Sequence, residues 1–354
     1  MNARRYLVLA LVCGLALAGL GARSPAAAPT RSLDIYFLDT EGGAATLIVT
    51  PRGESVLFDS GNSTPDDRDA RRILKAAKDA KLRRLDHYVT SHWHRDHFGG
   101  IGAVAAKLPI KHFWDRGIPA SLPEDPDNFP ALMSVYKKIS KGASVTLKAG
   151  DLLPLKPIRG GPPLQLLCVV SDRQVIPREG APNPFCKQSR PKPEDKSDNA
   201  RSLGLKLTYG DFDFLCLGDL TWNVERQLAC PTNRVGEVDL FQVTHHGLAV
   251  SNNPVLVKAL RPQVAIFENG PRKGCAPAVV RTLRSVAGLK AIYQIHRKLN
   301  SSPADQAPLA RIANLGGPGE ADAGHYIKAS VSPDGNAFTI RVTAAGAPHT
   351  YRSR

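Results

Sequence analysis

Residues 91–100 read SHWHRDHFGG, so His92, His94, Asp96 and His97 fall within six positions and two glycines follow at once. The run before them, LDHYVT, reads as a strand. In a strand, residues two apart share a face, so His92 and His94 project together, and Asp96 and His97 follow as the chain turns. Imidazole and carboxylate gathered in one small volume are the ligands of zinc-type divalent ions. Gly99 and Gly100 are expected to turn the backbone tightly into the next helix and to bring that helix's positive end to the site.

The pattern around the cluster alternates. LDIYFLD, ATLIVT and ESVLFDSG read as strands, and a helix follows over 66–81 with Ile73, Leu74, Ala76, Ala77 and Ala80 on one face. GIGAVAAKL is a predicted helix, IKHFWD a strand, 130–141 a helix and LQLLCVVS a strand. Then come the hairpin SLGLKLTYGDFDFLCLGD, the strand VDLFQVTHHG, a helix over 254–260, the strand PQVAIFENG, a helix over 277–287 and the strand KAIYQIH. The chain closes on a hairpin turning at Asp334-Gly335-Asn336. Strands alternating with helices imply a layered α/β fold. No internal repeat or boundary interrupts it, so 29–354 is expected to form a single domain. Residues 175–199 are polar and Pro-rich, and a loop of that length is functional or mobile.

The first 28 residues carry Arg4 and Arg5, an apolar run from Tyr6 to about Leu20, and small residues at Ala26–Ala28. This is the pattern of a cleaved secretory signal peptide, so a secreted or periplasmic bacterial protein is expected, without stable membrane insertion after cleavage. The formal charge of +15 mildly favours a polyanionic substrate, although DRDARRILKAAKDAKLRR reads as the solvated face of a helix. Cys168 and Cys216 sit in apolar strands as buried thiols. One disulfide is expected among Cys186, Cys230 and Cys275, and the lack of a CxxC pair argues against a thiolate zinc site.

The H-x-H-x-D-H run resembles the hallmark of metallo-β-lactamase-fold hydrolases, and further motifs fall in the family's order: Asp59 in LFDSG, Asp219 in FLCLGD, His245 and His246 in FQVTHHG. The resemblance implies a four-layer αββα sandwich, with Asp59 supporting the ligand loop and Asp219 bridging two ions. YFLD, SDNARSLGLKL, and VTHHG followed by LRPQVAIFENG look like the hydrolase domain of ComEC-type competence proteins, proposed to degrade the DNA strand not taken up. Thr40-Glu41-Gly42-Gly43-Ala44 stands where that subgroup has a Gly-Gln-Gly-Asp run. Channel-forming apolar segments are also missing, so DNA uptake itself is not expected.

By this resemblance the first ion takes His92, His94 and Asp219, and the second takes Asp96, His97, Asp219 and one of His245 and His246. Spacing does not choose between those two; the working assignment makes His246 a ligand and His245, with Asp96, catalytic. His112 is the only histidine between His97 and Asp219, and it comes too early to be a ligand. The first ion, with the thinner shell, is therefore expected to be held more weakly. The implied cofactor is Zn2+, one or two ions, with Mn2+ as the alternative. A water held between two such cations loses a proton near neutral pH, and Asp96 would orient it. Asn199 and Arg201 are the candidate substrate contacts. The favoured function is an exported hydrolase of phosphodiester bonds acting on a small molecule or a polyanion, nucleic acid among them. The alternatives are amide or ester hydrolysis of the lactonase or β-lactamase type, and a non-catalytic anion-binding protein.

Overall fold

The computed structural model describes residues 30–317, 324–342 and 346–354, so the expected leader at 1–28 lies outside the described residues. Two sheets carry the chain. The first runs His349–Arg352, Ala337–Val342, Ile327–Val331, Leu33–Phe37, Thr46–Val49, Ser55–Phe58, Leu85–Val89, Ile110–Asp115, Val145–Thr146 from edge to edge. The second runs Ile312–Asn314, Ala291–His296, Val264–Phe267, Leu240–Gln242, Phe212–Cys216, Gly204–Tyr209, Leu164–Ser171, Gln174–Val175. Each has a parallel part and an antiparallel part. In the first, the strands from Ser55–Phe58 to Val145–Thr146 run parallel. In the second, those from Phe212–Cys216 to Ile312–Asn314 do.

Strands that are apolar on both faces need a layer on each side, because every buried aliphatic or aromatic side chain contributes about 1.5–3 kcal/mol. Ile35 and Phe37 pack between the sheets with Phe58, Phe214 and Cys216. Tyr36, Leu38, Leu57 and Tyr88 face outward onto Ile73, Ala76 and Ala77 of the helix Arg68–Asp79. On the far side, Leu215, Phe241 and Phe267 meet Leu228, Leu256 and Leu283 from three helices. Three apolar interfaces between four layers make the expected αββα sandwich. The hairpin at Asp334–Asn336 forms as expected, and His349–Arg352 adds a strand that the sequence reading did not contain.

Cys168 and Cys216 are buried thiols, and Cys186 pairs with Cys230 in a disulfide. Cys275 is free and buried. The long loop is fastened. Trp222 Nε1 donates to the Arg190 carbonyl at 2.7 Å, the Lys192 ammonium lies 3.5 Å above the Trp222 ring, and Asn183 Nδ2 donates to the Ala229 carbonyl at 2.9 Å. Among the described residues, no helix is long and apolar enough to cross a membrane.

Candidate metal centre

Every parallel strand of the two sheets delivers its carboxyl end to the same rim, where open α/β sheets place their ligands. Asp59 follows the strand Ser55–Phe58, the histidine cluster follows Leu85–Val89, Asp219 follows Phe212–Cys216, and His245 and His246 follow Leu240–Gln242. The sequence motifs meet because the strands before them are neighbours: Phe58 is in register with Val89, and Leu215 with Phe241.

His92, His97 and Asp219 offer ligand atoms within 4.8 Å of one another, as do Asp96, His97 and His246. Asp219 Oδ2 lies at the centre, 3.3 Å from His97 Nε2, 3.2 Å from His245 Nε2 and 3.4 Å from His246 Nε2. Each of these imidazoles is held from behind. Nδ1 of His97 meets Asp59 Oδ2 at 2.8 Å, that of His92 meets Ser91 Oγ at 2.9 Å, that of His245 meets Ser251 Oγ at 3.0 Å, and that of His246 meets the Glu268 carbonyl at 3.1 Å. Asp59 also accepts hydrogen bonds from Ser91 N and Oγ, both at 2.7 Å. Fixing one ring nitrogen aims the other. The Nε2 atoms of His92, His97 and His246 are buried and have no hydrogen-bond partner. Buried imidazole nitrogens aimed at two carboxylates fit a divalent cation, which would take the nitrogen lone pairs and offset the carboxylate charge.

Burial holds the His92 and His246 imidazoles below their ordinary range and brings His245 down to about 4. Against its own burial, Asp219 is kept well below the usual carboxylate range by His245, His246 and His97. Asp96 is likewise lowered by His97 and Lys273. His97 goes the other way: despite burial, Asp219, Asp96 and Asp59 hold it well above the usual imidazole range. A cation taken by His97 Nε2 needs that nitrogen unprotonated, so it competes with a proton there.

Other residues singled out by the sequence take positions around these groups. His94 Nε2 lies 3.3 Å from Glu124 Oε1 at a side-chain exposure of 20%, outside both ligand groups, although its ring centroid is 4.7 Å from that of His92. Gly99 and Gly100 have ordinary right-handed backbones. Their use is close approach: a Cβ at Gly100 would lie 2.2 Å from the Ser60 carbonyl oxygen. The following helix, Ile101–Ala105, has five residues, too few for an appreciable dipole. His112 is an exposed strand residue stacked on His87.

Arg201 pairs with Asp172 at the surface, where both line a cleft of about 470 Å3 with Glu124 and Lys196. Asn199 is half-buried in the short helix Asp198–Arg201. That segment holds the histidine loop: Trp93 N donates to Asp198 Oδ2 at 2.7 Å, Leu203 N to the Ser91 carbonyl at 2.8 Å, and Asp219 N to Ser202 Oγ at 3.2 Å. The basic helix face is also only partly solvated, because Arg68 binds Glu41 at 2.7 Å and Arg72 binds Asp39 at 3.1 Å.

Two charged neighbours of the centre escaped the sequence reading, Glu124 beside His94 and Lys273 against Asp96. Lys273 follows the strand Val264–Phe267, and that position after a parallel strand was its one available signal.

Residues 38–173 match the family model described as Metallo-beta-lactamase superfamily. Competence protein ComA of Neisseria gonorrhoeae is 25% identical over 256 residues, covering 72% of this chain and 30% of that protein. Recombination protein 2 of Haemophilus influenzae is 23% identical over 242 residues, covering 68% and 24%. The chain thus spans less than a third of the length of either curated relative. Similar solved structures include a metallo-β-lactamase from Cronobacter sakazakii (16% identity, TM-score 0.34, 58% of this chain and 75% of that one). Another is CmlA, a diiron β-hydroxylase from Streptomyces venezuelae (14%, TM-score 0.39, 68% and 45%).

Proposed function

We propose that this chain, whose residues 38–173 match the metallo-β-lactamase superfamily model, is a metal-dependent hydrolase that cleaves phosphodiester bonds, in nucleic acid or in another phosphodiester. The observation that carries this reading is the reach of the two curated relatives. They align over 68–72% of the chain, more than the family model covers, and their names concern competence and recombination. The formal charge of +15, or +12 without Arg4, Arg5 and Arg23 of the expected leader, mildly supports an anionic substrate.

His92, Asp96, His97, Asp219 and His246 would hold the metal. A divalent ion, zinc in this reading with manganese as the alternative, supplies Lewis acidity and lowers the pKa of water. Asp59 and Ser91 keep the rings of His97 and His92 aimed inward. Asp96, ionised, accepts a hydrogen bond from the attacking water and orients it. His245, neutral at pH 7 and fixed by Ser251, stands beside Asp219 to hydrogen-bond the leaving oxygen.

The reading includes export, supported by the basic, apolar and small-residue order of the leader and by a disulfide, which oxidising compartments permit. The test of the chemistry is hydrolysis, by zinc- or manganese-loaded protein, of a chromogenic phosphodiester, single- and double-stranded DNA, a lactone and a β-lactam. Phosphodiester or DNA cleavage is expected, with a loss of roughly a thousandfold in Asp219→Ala. Lactone or lactam turnover with no phosphodiester cleavage would overturn the substrate class and leave the hydrolase standing.

A further inference from the structure

Lys273 has no part in the ligand sets, yet its ammonium lies against Asp96 Oδ2. That oxygen faces His97 Nε2 at 3.8 Å and His246 Nε2 at 3.7 Å. The ammonium thus stands on the atom that a cation bound by Asp96, His97 and His246 would use.

Two loops are shaped to admit it. Gly42 has φ +100°, and a Cβ there would lie 3.1 Å from Lys273 Cβ and 3.3 Å from its Cδ, so the Thr40–Ala44 loop leaves a passage for the lysine stem. A Cβ at Gly270 would lie 2.4 Å from the Glu41 carbonyl oxygen, and Gly270 N donates to the Lys273 carbonyl at 3.0 Å. On the other side, Gly274 has φ +82°, and a Cβ there would meet the His246 carbonyl oxygen at 2.1 Å. Cys275 N donates to that same carbonyl at 2.8 Å. The backbone around Lys273 is therefore clamped between the Glu41–Gly42 turn and the backbone of a candidate ligand. The side chain itself remains 39% exposed, so the ammonium has an open side to move into.

We propose that Lys273 is a built-in cation that competes with a divalent ion for Asp96, so that the Asp96–His246 side of the centre takes its ion more weakly than the His92–Asp219 side. A divalent ion about 2 Å from a carboxylate oxygen that an ammonium already touches is only a few ångströms from a like charge, in a setting where water screens poorly. The ammonium must turn to the open side before that ion is held. The expectation from ligand number alone, that the first ion is the weaker one, is reversed. The inference rests on the metal-dependent reading above.

Equilibrium dialysis of the metal-stripped full chain against Zn2+, with bound metal counted by atomic emission, tests it in the wild type, Lys273→Met, Lys273→Gln and Lys273→Arg. The wild type should bind in two classes of affinity. Both neutral variants should tighten the weaker class by about tenfold or more and leave the stronger one unchanged, and arginine should restore the wild-type behaviour. Two classes indifferent to all three substitutions overturn the competition and leave the metal centre intact. No bound zinc in any of the four proteins sinks the metal-dependent reading as well.

Discussion

His97 and His94 stand three residues apart in the chain and are held by opposite means. His97 is fully buried, with Asp59 at its back and Asp219 in front; the two carboxylates follow sheet strands, and His97 lies in the short helix Arg95–Phe98 beyond the strand Leu85–Val89. His94 is partly exposed, and its neighbour Glu124 belongs to the irregular stretch before the helix Phe129–Ile139. Glu124 is committed elsewhere too, accepting from the Asp198 N–H at 2.6 Å. The sheet-borne half of the centre is therefore set when the sandwich folds, since its partners are part of the core. The loop-borne half depends on two loops meeting each other, and it is the half that faces solvent. Rigid elements hold ligands to tighter tolerance than loops do, and loops are where substrates enter.

The strongest way to break this contrast is Asp59→Ala. Removing the buried partner of His97 should cost about 3 kcal/mol of stability and 10–100-fold in metal affinity, read by thermal melting and by metal titration. Next is pH. The folded-state pKa of His245, about 4, lies below its ordinary value of 6.5, so the unfolded chain binds more protons between those values and stability falls on acidification through that window. The contribution is about 3 kcal/mol at most, and a His245→Phe variant should melt with a flatter pH dependence in the metal-free protein. His94→Ala should leave the melting temperature nearly unchanged, within about 0.5 kcal/mol, and change metal affinity far less than Asp59→Ala does. A loss of stability as large as that of Asp59→Ala would erase the distinction between the halves. The smallest effect belongs to Arg201→Ala: exposed ion pairs contribute about 0–1 kcal/mol, so stability should hold, and a few-fold rise in KM at constant kcat is the expected mark of a substrate contact.

The same contrast explains what could be read from the sequence. His92, His97, Asp59, Asp219 and the His245–His246 pair each follow an apolar run, and a run that ends in a polar ligand marks a strand end whatever the loop lengths between. The alternation of Ile35 and Phe37 with Tyr36 and Leu38 likewise announces a strand covered on both faces. Lys273 and Glu124 carry no such mark. Lys273 meets Asp96 across 177 positions and His296 meets Asp39 across 257, and neither pair shows in any local periodicity. The pairing of Arg201 is hidden for the same reason, since its partner Asp172 lies in the turn beyond another strand.

The Cys186–Cys230 disulfide gives the chain a memory of where it folded. It is the only cysteine pair among the described residues, and the other thiols, Cys168, Cys216 and Cys275, are buried. Alkylating the acid-quenched, unfolded chain would label three of these five cysteines if it matured in an oxidising compartment and all five if it stayed in a reducing one. The band shift on a gel would then act as an address label, written by the cell and independent of any assay of activity.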